Sequence, residues 1–269
     1  MSVGFVGAGR MGAPMVRRLT DVGYDVRLLG RTPEECSTAT ELGVEAVSSL
    51  AEVGRDADAV IVCVFTDEQV RQVCLDGDLL AAMSPGAVLV LHTTGSLRTA
   101  EAIAERAKAR GVEVVDAPVS GGPHDVAAGT VTLFVGGGDD AVARVRPLLS
   151  SYGDPVLHVG TTGAGQRVKL INNTLFAAQI GLVAEAVRLG ARLGVDEPTL
   201  LRALPHGSGT SRALSSISAA GSADTFITAV GDFIGKDVAV IRTTAAELGT
   251  DLGMLDEVVK AGLPNSKTT

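Results

Sequence analysis

The chain has no tryptophan, two tyrosines and six phenylalanines in 269 residues, so its core must be built from aliphatic side chains. Cysteine is scarce as well. Cys36, Cys63 and Cys74 are odd in number and form no Cys-x-x-Cys pair, which argues against a disulfide framework and fits a reducing cytoplasm. The four histidines (His92, His124, His158, His206) are scattered, with no His-Glu-x-x-His or Cys/His cluster, so no metal is expected. Positive charge is in deficit: 23 Lys and Arg face 31 Asp and Glu, a net charge of −8. That balance argues against nucleic acid or an anionic membrane surface as the main partner, while leaving room for a local basic pocket. No apolar run approaches the roughly 18 residues of a membrane span, and the opening Ser2-Val-Gly-Phe-Val6 reads as a strand, not a signal peptide. There is no Walker loop, and His206-Gly-Ser208-Gly-Thr210 misses the spacing of a nucleophile elbow.

What the chain does have is glycine, 33 residues of it, and a regular alternation. Short β-branched runs at 3–6, 25–29, 59–65, 87–92, 112–116, 131–136 and 155–159 read as strands, several of them apolar throughout. Such runs mark strands buried on both faces of a parallel sheet. Helical stretches at 10–22, 67–75, 97–110 and 139–150 lie between them, giving a doubly wound α/β domain. After Gly165 the strands stop. Residues 166–193 are proline-free and rich in Ala, Leu and Val, which predicts one helix of about 40 Å. Further helices are expected at 197–204, 212–220, 226–248 and near 252–261. The expected domains are therefore a doubly wound sheet at 1–162 and an all-helical domain at 163–269, joined by the long helix. Only the tail at 264–269 reads as disordered.

Gly7-Ala8-Gly9-Arg10-Met11-Gly12 follows the first strand and opens a helix. The first glycine permits a tight turn, the second lets a pyrophosphate approach the backbone, and the third lets helix pack on strand. The helix N-terminus then faces the phosphates, so a dinucleotide is expected. At the end of the second strand an NAD site usually places a carboxylate; here stands Leu29-Gly30-Arg31-Thr32. A guanidinium and a hydroxyl suit a 2′-phosphate, with no acid there to repel it. NADP is the expected cofactor, with NAD as the alternative; the lesser reading of Arg31 is an ordinary surface arginine.

Three segments offer chemistry. Asp116-Ala-Pro-Val-Ser120-Gly121-Gly122 sits at the carboxyl end of a strand, where open α/β sheets place ligands. Its serine hydroxyl and bare backbone N–H groups would make a nest for a carboxylate, or a plain turn. Lys169 and Asn173 are four apart at the head of the long helix, behind Gly163-Ala-Gly165-Gln-Arg-Val. On one helix face they present a proton donor and an amide to the same spot, although a lysine near a helix start is most often a solvated surface residue. Lys236-Asp237 supplies a cation with a balancing acid, or a surface pair.

Taken together, these four motifs resemble the β-hydroxyacid dehydrogenase family, which includes 3-hydroxyisobutyrate dehydrogenase and has 6-phosphogluconate dehydrogenase as a distant relative. The resemblance spans nearly the whole chain. It implies Lys169 as catalytic acid/base, Asn173 orienting the substrate, and Ser120, Gly121 and Gly122 binding its carboxylate. It also implies Lys236 close to the nicotinamide, Thr94 touching the cofactor, and Phe65 and Thr66 on a loop passing the ribose. A homodimer or higher homo-oligomer is expected, although the segment after Lys236-Asp237 is shorter than in typical members. The substrate would be a small carboxylate-bearing hydroxyacid or semialdehyde. His124, Phe176 and the loop at 207–212 are expected around it, with Arg212 either pairing a second carboxylate or equally a surface residue. Two other readings stand beside this one: an imine reductase on the same scaffold, which Lys169 counts against, and a cofactor-binding module that has lost catalysis.

Overall fold

The computed structural model describes residues 1–262, the side chains of 232 and 233 excepted. The tail expected to be loose, 264–269, lies outside the described residues. The chain forms two compact units, Met1–Lys169 and Leu170–Thr269. The division falls inside a helix, seven residues beyond the boundary expected between 162 and 163.

The first unit alternates strands and helices: β1 (Ser2–Val6), α1 (Gly12–Asp21), β2 (Asp25–Leu29), α2 (Pro33–Leu42), β3 (Glu45–Val47), α3 (Leu50–Gly54), β4 (Ala59–Val62), α4 (Asp67–Arg71), α5 (Leu79–Ala82) and β5 (Val88–Leu91). It continues with α6 (Leu97–Lys108), β6 (Glu113–Asp116), β7 (Val119–Ser120), α7 (Pro123–Ala128), β8 (Val131–Gly136), α8 (Asp139–Leu149) and β9 (Gly153–Gly160), then the head of α9 (Ala164–Arg192). A π-helical turn at Gln72–Asp76 follows α4.

The sheet runs β3-β2-β1-β4-β5-β6-β8-β7, with β9 paired to β8. From β3 to β6 all pairings are parallel, whereas β8 is antiparallel to both β6 and β7. The winding reverses between β1 and β4, and that switch opens a crevice at the carboxyl ends of these two strands. The apolar runs are explained by burial on both faces: in β4, Ala59 and Ile61 face one core while Val60 and Val62 face the other, as a period of two requires. β3 and β7 escape sequence reading because they are three and two residues long and lie at the sheet's ends. The helices α2 and α3 were not among the expected ones, although each opens with a capping box, Thr32 with Glu35 and Ser49 with Glu52.

Among its described residues the second unit contains helices and connecting loops but no strand: the body of α9, then α10 (Glu197–Ala203), α11 (Arg212–Ala220), α12 (Ala223–Glu247) and α13 (Met254–Gly262). Its core gathers Ala177, Ile180, Leu201, Leu214, Ile217, Ile234, Val238 and Val259. Two glycines let α13 cross close over α9: a Cβ on Gly262 would stand 2.6 Å from the Gly181 nitrogen. The absence of a long uninterrupted apolar run does not keep every helix below the average hydropathy of a membrane span. Helix α9 is long and apolar enough to cross a membrane by length and composition, with a mean hydropathy of 1.3 over 18 residues. Polar residues interrupt its apolar runs, so only an averaged window finds it. Its buried side chains Ala177, Ala178, Ile180 and Val183 belong to the core of the helical unit.

Candidate active site

The Gly7–Gly12 loop runs from β1 into α1, and each glycine has its own reason. Gly7 adopts φ +97°, a conformation that favours glycine, and a Cβ there would collide with the Cys63 carbonyl. A Cβ on Gly12 would collide with the Gly7 carbonyl and approach the Phe5 ring, so glycine allows α1 to start tight against β1. Gly9 is different, because a Cβ there would meet nothing within 4 Å. It is the open position at which another group can approach the backbone. Helix α1 also lacks a side-chain N-cap, unlike α2, α3 and α4, which all carry capping boxes. Its first N–H groups and the positive end of its dipole therefore suit a phosphate.

A cleft of about 420 Å³ lies over this loop, lined among others by Gly7, Ala8, Gly9, Arg31, Cys63 and Phe65. These residues fit the adenosine side of a dinucleotide: bare backbone at the loop, a cation at the end of β2, and an exposed aromatic ring. Thr32 has a local duty, because its hydroxyl accepts from Glu35 N–H at 3.2 Å as the cap of α2. The sequence expectation that no acid stands here is corrected. Glu34 and Glu35 both line the cleft, brought back by the first turn of α2. The Glu35 carboxylate is occupied by the Arg31 N–H at 2.7 Å. Hydrogen bonds from its own backbone and from Thr32 hold Glu34 below the usual carboxylate range.

The two loops beyond β4 and β5 are stitched together. The Thr93 hydroxyl donates to Val64 O at 2.8 Å and accepts from Val64 N–H at 3.1 Å. Phe65 N–H donates to the Gln69 side chain at 2.9 Å. Thr94, part-buried, follows Thr93 directly. At the next loop Ser120 pairs with Thr132 across β7 and β8, and Gly121 takes φ +140°. The expected nest is half occupied: Gly122 N–H donates to Asp125 at 2.7 Å, so it is not bare. Asp125 is the N3 residue of α7 and caps its own helix.

Asp116, fully buried at the end of β6, accepts from Gly163 N–H at 2.6 Å and from Gln166 N–H at 2.7 Å. Its carboxylate thus caps the N-terminus of α9 across the sheet, and burial pushes its pKa up against those hydrogen bonds. Lys169 follows three residues later and is itself buried, not a solvated surface lysine. Asn173 lies one turn further along the same helix, in the second unit. There it receives the Asn172 amide at 3.0 Å and donates to Asp237. Asp237 is 1% exposed and its other oxygen lies 3.2 Å from Lys236 Nζ. Lys236-Asp237 is therefore not a surface pair; the structure joins it to Asn173.

The remaining expectations fare differently. His124 is exposed on α7, 3.4 Å from its neighbour Asp125. Phe176 packs on the core of the helical unit, and Arg212 opens α11. Arg10 is exposed and Met11 part-buried beside Gly12. Sequence reading missed Gln166 and the acids of α2. Gln166 was legible only as a polar residue in the first turn of an apolar helix. Beneath the site, His92 and Tyr152 form a buried pair. His92 Nδ1 is 2.5 Å from Ala117 O and Nε2 is 2.9 Å from the Tyr152 hydroxyl. A carbonyl only accepts, so Nδ1 carries the proton and Tyr152 donates to Nε2. Burial lowers His92 to about 4 and pushes the thiols of Cys63 and Cys74 up to about 12. Among the described residues, no group of three or more His, Cys, Asp or Glu could hold a metal ion.

A glycine loop at the switch point of a doubly wound sheet, followed by a helical unit, defines an NAD(P)-dependent oxidoreductase. Residues 2–160 match the family described as the NAD-binding domain of 6-phosphogluconate dehydrogenase. Residues 163–263 match that described as NAD-binding of NADP-dependent 3-hydroxyisobutyrate dehydrogenase. The chain is 35% identical over 213 residues to an NAD-dependent L-serine dehydrogenase of Pseudomonas aeruginosa, covering 79% of this chain and 72% of that one. It is 36% identical over 208 residues to a probable 3-hydroxyisobutyrate dehydrogenase of Mycobacterium tuberculosis, covering 77% and 70%. The structure of Mycobacterium tuberculosis 3-hydroxyisobutyrate dehydrogenase with L-serine superposes with a TM-score of 0.85 at 30% identity, over 96% of this chain and 91% of that one. The chain belongs to the β-hydroxyacid dehydrogenase family and is an NAD(P)-dependent dehydrogenase.

Proposed function

We propose that the protein interconverts a small β-hydroxyacid and its semialdehyde, with NADP preferred and Lys169 as the acid/base. The observation carrying this reading is a lysine buried at the head of α9, in the same unit as the dinucleotide loop. A bound nicotinamide supplies the hydride chemistry. In reduction Lys169 Nζ gives a proton to the carbonyl oxygen; in oxidation it takes one from the hydroxyl. Asn173, held by Asn172 and Asp237, orients the substrate. Ser120, Gly121 and Gly122 receive its carboxylate, chiefly through the Ser120 hydroxyl and the Gly121 backbone. Gly7, Ala8, Gly9, Arg10, Met11 and Gly12 hold the pyrophosphate, Phe65 and Thr94 the ribose and nicotinamide, and Lys236 stands beside the nicotinamide. Arg31 in the cleft wall, with Thr32 next to it in the chain, supports NADP.

NAD is the second reading. It is favoured by Glu34 and Glu35 in the cleft wall and by the NAD-dependent serine dehydrogenase among the relatives. Two further readings go with the first. The unpaired cysteines support a reducing cytoplasm. The exposed Ile171, Leu175, Leu182 and Leu189 of α9, at spacings of four and seven residues, support a second copy of this chain along that helix; sedimentation of Leu182→Glu against the wild type tests it.

The deciding experiment measures oxidation of L-serine and 3-hydroxyisobutyrate, and reduction of tartronate, methylmalonate and succinic semialdehydes, with both cofactors. Lys169→Ala should lose turnover by a factor of about 10³ or more while dinucleotide affinity stays within about threefold. An active Lys169→Ala enzyme overturns the assignment.

A further inference from the structure

We propose that Gln166 is a positioning residue: its side chain clasps the backbone on both sides of Thr94 and thereby fixes the cofactor loop against the helix turn that carries Lys169. The side-chain amide donates to Thr93 O at 2.7 Å, and its Oε1 accepts from Gly95 N–H at 3.2 Å. Thr94 is the single residue between these two anchors. The Gln166 backbone N–H is held in turn by the Asp116 carboxylate at 2.7 Å. Gln166 is 2% exposed, so its amide has little access to water, and a buried amide is retained where its partners need it.

The geometry leaves little slack. A Cβ on Gly165 would stand 2.8 Å from both the Asp116 carbonyl and its carboxylate Oδ2, and one on Gly136 would lie 2.5 Å from Asp116 Oδ1. The glycines therefore let the α9 backbone come down onto the end of β6, from where the Gln166 side chain spans to the loop after β5. Thr93 passes the restraint on to Val64 through its hydroxyl. One hydrogen-bonded chain, Asp116–Gln166–Thr93–Val64, thus ties the ends of β6, β5 and β4 to the turn of α9 that ends at Lys169. Displacing a reacting group by about 1 Å can cost on the order of 10²-fold in rate, so a clasp here governs turnover without touching substrate. The inference rests on the acid/base reading of Lys169 and deepens it.

The test compares Gln166→Leu, which fills the volume but makes neither bond, with Gln166→Glu, which keeps the acceptor for Gly95 and loses the amide donor. Three readouts are taken: kcat and KM for each cofactor, the primary isotope effect with deuterated hydroxyacid, and amide hydrogen exchange of the protein without dinucleotide. Expected are a fall in kcat of about 30-fold or more in Gln166→Leu, a smaller fall in Gln166→Glu, and cofactor KM within threefold. The isotope effect should grow as chemistry becomes limiting. Exchange at Gly95 should speed up at least tenfold in Gln166→Leu, with β1 and β4 still protected. A kcat within threefold of wild type, or unchanged protection at Gly95, overturns the proposal. If Gln166→Leu does not fold, Gln166→Glu decides by the same threefold criterion. Lys169→Ala run alongside separates the two ideas: residual activity there removes the acid/base reading, while Gly95 exchange still reports on the clasp.

Discussion

The Asn173 side-chain amide donates to Asp237, whose second carboxylate oxygen sits 3.2 Å from Lys236 Nζ. One buried acid therefore joins two motifs 64 residues apart in sequence. Removing it as Asp237→Ala leaves the Asn173 amide without its acceptor and takes the counter-charge from a half-buried lysine. The cost of breaking such a pair is about 3 kcal/mol. A drop in melting temperature together with a tenfold or larger loss of kcat is expected. Unchanged kcat in a folded variant would show that the orientation of Asn173 does not matter to the reaction.

Arg31 discriminates between the cofactors. If it meets a 2′-phosphate, Arg31→Ala forfeits a charge-assisted contact worth about 1.5–3 kcal/mol. KM for NADPH should then rise by about 10- to 100-fold while KM for NADH stays put. Equal changes with both cofactors would give the decision to NAD and to the acids of α2.

Two glycines separate packing from binding. Gly165→Ala drives a Cβ into the Phe134 carbonyl oxygen and to 2.8 Å from the Asp116 carboxylate and should cost about 1–3 kcal/mol of stability or more as overpacking. Gly9→Ala meets no atom within 4 Å, so stability should hold within about 0.5 kcal/mol while dinucleotide affinity falls. Denaturant melts and dinucleotide titration of both variants check the contrast.

The buried His92 predicts an acid-sensitive fold. Its folded pKa of about 4 lies below the ordinary 6.5, so the unfolded chain binds the proton more readily between those values. Stability contributed by neutral His92 is complete above pH 6.5 and is lost as pH falls toward 4, by about 3 kcal/mol in all. Asp116 works in the opposite sense, because burial raises its pKa and its protonation favours the folded state. Melting His92→Gln beside the wild type from pH 7 to 4 isolates the histidine. The variant should show the shallower decline, since glutamine can serve Ala117 and Tyr152 without taking up a proton.

The sequence by itself determined the local elements. Continuous apolar runs such as Val60-Ile-Val predicted strands buried on both faces, and Gly7, Gly9 and Gly12 predicted a dinucleotide turn. The i, i+4 spacing put Lys169 and Asn173 on one helix face. Those signals are short-range: side-chain period, steric freedom of glycine, and reach along one helix turn. What only the tertiary structure decided are pairings across long separations. The carboxylate of Asp116 reaches α9 because Gly136 and Gly165 allow the approach. Gln166 spans to Thr93 and Gly95, Asp125 takes the Gly122 N–H that looked bare, and Glu34 and Glu35 return to the cleft as α2 turns. A chain of letters records which groups can donate and accept, but a hydrogen bond depends on ångström-scale distance, and packing of the sheet against its helices sets those distances.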